Sequence, residues 1–144
     1  MDTRKTLTPG DAAVDGLMHG LLAGLLMLAY LVATGWLQSR NFTEILGLFA
    51  PGTGTSPLYG GLAHLAVSSI YGAGFALAAR RLRGRVWLWA AGLAYGLLLI
   101  GVANIVLIPG FAATLSSLDR AHLTAAHLLY GFALGGLAYR GAAS

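Results

Sequence analysis

The sequence predicts an all-α protein, a transmembrane four-helix bundle built as two tandem helical hairpins related by a parallel pseudo-twofold repeat. Three observations lead there. The chain of 144 residues is 57% hydrophobic with a mean hydropathy of +0.73. Only 10% of it is charged, where an ordinary soluble domain carries about 25% and needs it to cover its surface. Four apolar stretches are each long enough to cross a hydrocarbon layer, which takes roughly 20 helical residues. Finally, a set of short motifs recurs in the same order in the two halves.

The first stretch covers 14–37 and carries Gly16, Gly20 and Gly24, a GxxxGxxxG face that lets another helix approach closely. Its apolar run is longer than a signal-peptide core, so it is expected to be a retained span. A connection follows at 38–57, with Phe42, Ile45, Leu46, Leu48 and Phe49 spaced for a short amphipathic helix at the interface. A connection this long is expected to serve as a docking segment for a partner. The second stretch, 58–79, repeats Gly60, His64, Ser68, Gly72 and Ala76 at steps of four, which puts them on one helix face. The third spans 86–108, and the outer connection after it opens with Pro109-Gly110. The fourth, 122–139, carries His122 and the stripe His127, Gly131 and Gly135.

Basic residues set the orientation. With alternating helices, Arg4, Lys5, Arg80, Arg81, Arg83, Arg85 and Arg140 fall on one side, and only Arg40 and Arg120 on the other. The positive-inside rule then places both termini and the 80–85 turn in the cytoplasm, with Thr53 and Ser117 outside; a cell (inner) membrane is the expected location. The same rule explains the net charge of +4 without invoking nucleic acid. Trp36 and Tyr59 suit the outer interface, and Trp87, Trp89 and Tyr139 the inner one.

The duplication rests on matched motifs. Gly20-Leu21-Leu22-Ala23-Gly24 answers to Gly92-Leu93-Ala94-Tyr95-Gly96. Ala63-His64-Leu65 and Tyr71-Gly72 answer to Ala126-His127-Leu128 and Tyr130-Gly131, and Pro51-Gly52 and Pro109-Gly110 precede the even-numbered spans. Two hairpins entering from one side give an axis along the membrane normal. Four apolar spans, the glycine-rich first helix, the Pro-Gly outer loop and the closing His127-Leu128-Leu129-Tyr130-Gly131-Phe132-Ala133-Leu134-Gly135 together resemble small bacterial membrane proteins of the YagU-like kind. The resemblance implies topology and no activity.

Chemistry is scarce. There is no cysteine, which removes disulfides, thiolate metal sites and iron–sulfur clusters. No Asp, Glu, Lys or Arg falls deep within a span, where ion-driven pumps place them. His122 and His127 are five apart, out of step for a helical zinc pair. Ser68 and Ser69 have no acid partner and no nucleophile elbow. The polar residues left in the spans are His19, His64, Ser68, Ser69, Asn104, Thr124, His127 and several tyrosines. These features predict a protein that is not an enzyme, an accessory or assembly subunit in the lipid bilayer, packed by Gly16, Gly20, Gly24, Ser68, Gly72, Gly131 and Gly135 within a larger complex of energy metabolism or a homo-oligomer. The alternative is a redox protein holding haem b between His64 and His127, with His122 as a competing ligand, or a quinone or pigment at the same face. A small-solute transporter or channel is the third reading.

Overall fold

The computed structural model describes residues 8–52, 56–82, 84–110 and 113–143, the last four by backbone alone. Arg4, Lys5, Thr53 and Arg83, and the side chain of Arg140, to which the topology assigns sides, lie outside what is described. The described residues are helical with short connections and no strand. Helix α1 runs over Pro9–Leu37, α2 over Phe42–Gly47, α3 over Pro57–Ala79, α4 over Arg85–Gly110 and α5 over Arg120–Ala143. Among these, α1, α3 and α4 are long and apolar enough to cross a membrane, which is compatible with a membrane protein.

Local chemistry sets the helix ends. Thr8 accepts from the Asp11 N–H while the Asp11 carboxylate accepts from the Thr8 N–H, with Pro9 at the first position, a reciprocal pairing that satisfies two otherwise orphaned donors. Asn41 and Glu44 do the same for α2. Gly84 supplies the φ of +87° needed to turn into α4. Near its far end α4 widens into a π turn over Ala103–Leu107, and the Ile108 N–H returns to Ala103. The cause is Pro109, which cannot donate and whose ring crowds the carbonyl four residues back.

The helices associate as two tight antiparallel pairs, α1 with α3 and α4 with α5, joined mainly through α1 against α5; α3 and α4 touch sparsely. Glycine makes each pair. A Cβ added at Gly72 would collide with the Gly16 carbonyl and the Gly20 backbone, and one at Gly16 would stand 2.7 Å from the Gly72 oxygen. In the second pair Gly92 and Gly131 each block a Cβ on the other, and Gly135 lies against Leu88 and Trp89. The small faces therefore meet inside this chain. Between the pairs lies a core of Ala23, Met27, Leu31, Leu99, Ala126 and Leu134.

The described residues of the connection, 38–52 and 56–57, carry the expected short helix. The helix turns inward: Ile45 is fully buried (0% exposed) and occupies the space beside Gly35, while the Leu46 carbonyl sits on Gly60. The segment is fastened by Thr114 Oγ1 donating to the Leu48 carbonyl (2.7 Å) and by Arg40 donating to Ser117 Oγ and O (3.1 and 2.9 Å). It is a cap on the helices rather than a projecting arm. Trp89 has more contacts than the other aromatics assigned to the interfaces. It packs edge-on against Phe132 at 4.1 Å, whereas Trp36, Tyr59 and Trp87 are exposed.

A test follows from the unequal glycines. Gly20→Ala is expected to lower bundle stability by about 1–3 kcal/mol, because the backbones must separate around one methyl. Gly101, with nothing within 4 Å of an added Cβ, should accept alanine with no loss. Unfolding of the two variants in mild detergent, read by circular dichroism, checks the contrast.

Candidate functional site

The helix pairs leave a gap where α3, α4 and α5 converge below the α2 cap. It is a cavity of about 180 Å3. His64 and Tyr71 contribute from α3, Leu99 and Ala103 from α4, and His127 and Tyr130 from α5, with Phe49 beneath the cap. The π turn borders it, since Ala103 and Leu107 both line the wall. Residues of α3 and α4, which touch sparsely, both line it, and among its lining residues Val67 of α3 is partly exposed.

Glycine packing determines what the histidines do. Because Gly24 has no side chain, α3 comes close enough for His64 Nε2–H to donate to the Gly24 carbonyl at 3.0 Å. That carbonyl has a second lone pair to offer beyond its helical bond. The ring also packs on Phe49 with centroids 4.5 Å apart, and the residue is 7% exposed. His127 is held differently: its Nδ1–H donates to the Leu123 carbonyl one turn back, at 2.8 Å. In these tautomers each imidazole is left with a bare ring nitrogen, Nδ1 of His64 and Nε2 of His127, and neither makes a hydrogen bond among the described residues. A bare imidazole nitrogen accepts. Both rings line one largely apolar chamber, and each has an acceptor nitrogen left over.

Tyrosines tie the walls together. Tyr130 Oη donates to the Ser68 carbonyl at 2.5 Å, joining α5 to α3. Tyr95 Oη donates to the Tyr71 carbonyl at 2.9 Å, joining α4 to α3. Neither bond was legible from the motifs, because backbone carbonyls leave no mark in a sequence.

The structure brings His64, Ser68 and His127 to one cavity and leaves the other candidates elsewhere. His122 is near the start of α5, where its Nδ1 shares a hydrogen bond with Tyr30 Oη of α1 at 3.1 Å. His19 lies half-buried on α1, away from the cavity. Gly16, Gly20, Gly24, Gly72, Gly131 and Gly135 form helix contacts and are not cavity walls. No cluster of three or more His, Cys, Asp or Glu able to hold a metal ion occurs among the described residues.

Size bears on which ligand fits. Cofactor sites usually enclose about 300–1,000 Å3, so a porphyrin needs the helices to part. His64 would also have to give up its Gly24 bond to offer Nε2 to iron. A single six-membered ring is a closer match, since an apolar cavity of about 150 Å3 suffices for benzene. Comparison with protein families, with curated proteins and with solved structures gives no match in any of the three.

The Tyr130–Ser68 bond gives a direct check on the site's construction. Tyr130→Phe should cost about 0.6 kcal/mol and no more than about 1.7, the range for interhelical hydrogen bonds in apolar surroundings. A chemical or thermal melt of the variant beside the parent measures it.

Proposed function

We propose that this chain is a non-enzymatic, four-span protein of the inner membrane that binds a small hydroxylated ring, a phenol or hydroquinone, in the cavity between α3, α4 and α5. The carrying observation is the pair of bare imidazole nitrogens, His64 Nδ1 and His127 Nε2, in an otherwise apolar chamber of about 180 Å3. Acceptors of this kind are satisfied by O–H donors, so the reduced, hydroxyl-bearing form of a quinone suits the chamber better than its carbonyl form. The sparse α3–α4 seam gives a ring's hydrocarbon tail a route into lipid. Haem has less support on this geometry, for the reasons of volume and nitrogen direction given above. The accessory-subunit reading remains a proposal, but the glycine faces that motivated it are filled from within the chain.

The four-span topology has its own support. Helix α5 has 24 residues, enough to cross, and is the antiparallel partner of α4. Its termini alternate with the other three, which puts both chain ends and the Arg80–Arg81 turn on the cytoplasmic side by the positive-inside rule. The contact register supports the parallel repeat. Gly20 meets the Ser68 carbonyl where Gly92 meets that of Gly131, and Gly16 meets Gly72 where Leu88 meets Gly135; Gly24 lies first against the Ser68 side chain, whereas Gly96 lies against the His127 carbonyl. In this register Gly72 is the counterpart of Gly135 rather than of Gly131, so the matching Tyr-Gly motifs are displaced by one turn.

Binding is tested by thermal shift of the detergent-purified protein with a short-chain hydroquinone, its quinone and its dimethyl ether. At a hundredfold excess over Kd the hydroquinone should stabilise by about 2.7 kcal/mol, the ether should not, and His127→Leu should abolish the effect. Equal shifts with ether and hydroquinone, or none with either, would count against the proposal. Topology is tested separately on the cysteine-free chain. Ser39→Cys and Ser117→Cys should react with an impermeant maleimide from outside intact cells, and Arg81→Cys only after lysis.

A further inference from the structure

A second, larger hollow lies at the opposite, Arg-rich end of the molecule, between α1, α4 and α5, and encloses about 590 Å3. Its walls are apolar, with Leu22 and Leu26 from α1 and Leu137 from α5. Its mouth is not. Arg85 sits there with its guanidinium carbon 5.1 Å from the Trp89 ring centre and 5.9 Å from that of Tyr139. Held by two aromatic faces, an arginine keeps its planar edge of N–H donors free, and that edge matches two oxygens of a phosphate. The ring contacts are the only side-chain interactions of Arg85 among the described residues. Beside it Trp89 Nε1–H is enclosed without an acceptor, which is costly to leave unmet.

We propose that this groove is a binding site for one anionic phospholipid, with the phosphodiester on Arg85 and an acyl chain along Leu22, Leu26 and Leu137. Three features select that occupant. The charge is positive and confined to the mouth, where exposed Arg80 and Arg81 lie at the same end of the helices. The walls beyond the mouth carry no charge, as a hydrocarbon chain requires. From Tyr139 down to Phe132 the groove descends seven residues of α5, about 10 Å at helical rise, so it runs along the helix axes as lipid chains do. An ester or phosphate oxygen drawn in beside Arg85 would also supply the acceptor that Trp89 lacks. This site is separate from the histidine cavity and does not depend on its ligand.

Native mass spectrometry of the full chain, released from micelles doped with phosphatidylglycerol or phosphatidylcholine of the same acyl composition, tests it. The parent should retain one phosphatidylglycerol in preference to phosphatidylcholine. Arg85→Gln should weaken that adduct about fivefold or more, the worth of one basic residue near an anionic surface, and Arg81→Gln should weaken it clearly less. Gly136→Leu should remove the adduct by filling the groove. An added Cβ there meets only Trp89 Cζ2, at 3.8 Å, so the variant is expected to fold, with helicity checked by circular dichroism; Leu26→Trp serves the same purpose if it does not. Equal retention of both lipids, equal losses in Arg85→Gln and Arg81→Gln, or an undiminished adduct in a folded groove-filling variant would each overturn the proposal.

Discussion

Everything in this fold depends on backbone touching backbone at Gly20–Gly72 and Gly92–Gly131. In lipid, burying a leucine against another leucine gains little over burying it against an acyl chain. Association must come from close packing and from hydrogen bonds that short distances make available. The glycines supply the first directly. They supply the second because a helix brought this near can offer its carbonyls to a neighbour's side chains, as Gly24 does to His64.

The same closeness fixes where there is empty space. Two pairs drawn tight along their glycine seams cannot also pack evenly against each other, and the mismatch collects on the α3–α4 side. There the π turn before Pro109 widens α4, and a chamber remains with imidazoles on two walls. The cap over it is polar chemistry on an apolar frame. Ile45 plugs the gap at Gly35, and hydrogen bonds from Arg40 and Thr114 join the segment after α1 to the one after α4.

Much of this was legible in the residues. Steps of four in Gly16, Gly20 and Gly24, or in His64, Ser68 and Gly72, declare a helix face without any structure. The existence of α2 was legible for the same reason. That α2 turns inward was not, because the space Ile45 fills is created by Gly35 and the carbonyl of Leu46 rests on Gly60, both in other elements. The π turn had a visible cause in Pro109, but the position of a proline does not say whether a helix will break, kink or widen. The histidines could be named, whereas their free nitrogens could not. Which nitrogen is spent depends on Gly24 and Leu123 carbonyls whose directions exist only after folding. Arg85 was read only as one of a charge cluster, since its two aromatic partners become neighbours through the docking of α5 on α4.

The pairing scheme bears on how such a chain is made. Each tight pair contains the helices of a single half, α1 with α3 and α4 with α5, and the turn through Gly84 is the only stretch of chain between them. A nascent polypeptide can therefore close its first glycine seam while the second half is still in the ribosome; the α1–α5 seam and the bonds from Tyr95 and Tyr130 to α3 have to wait. The polypeptide link at Gly84 sets the concentration of one half near the other. Each half closes its own glycine seam, and the joining of the halves falls to α1 against α5 and to the tyrosine bonds that reach α3.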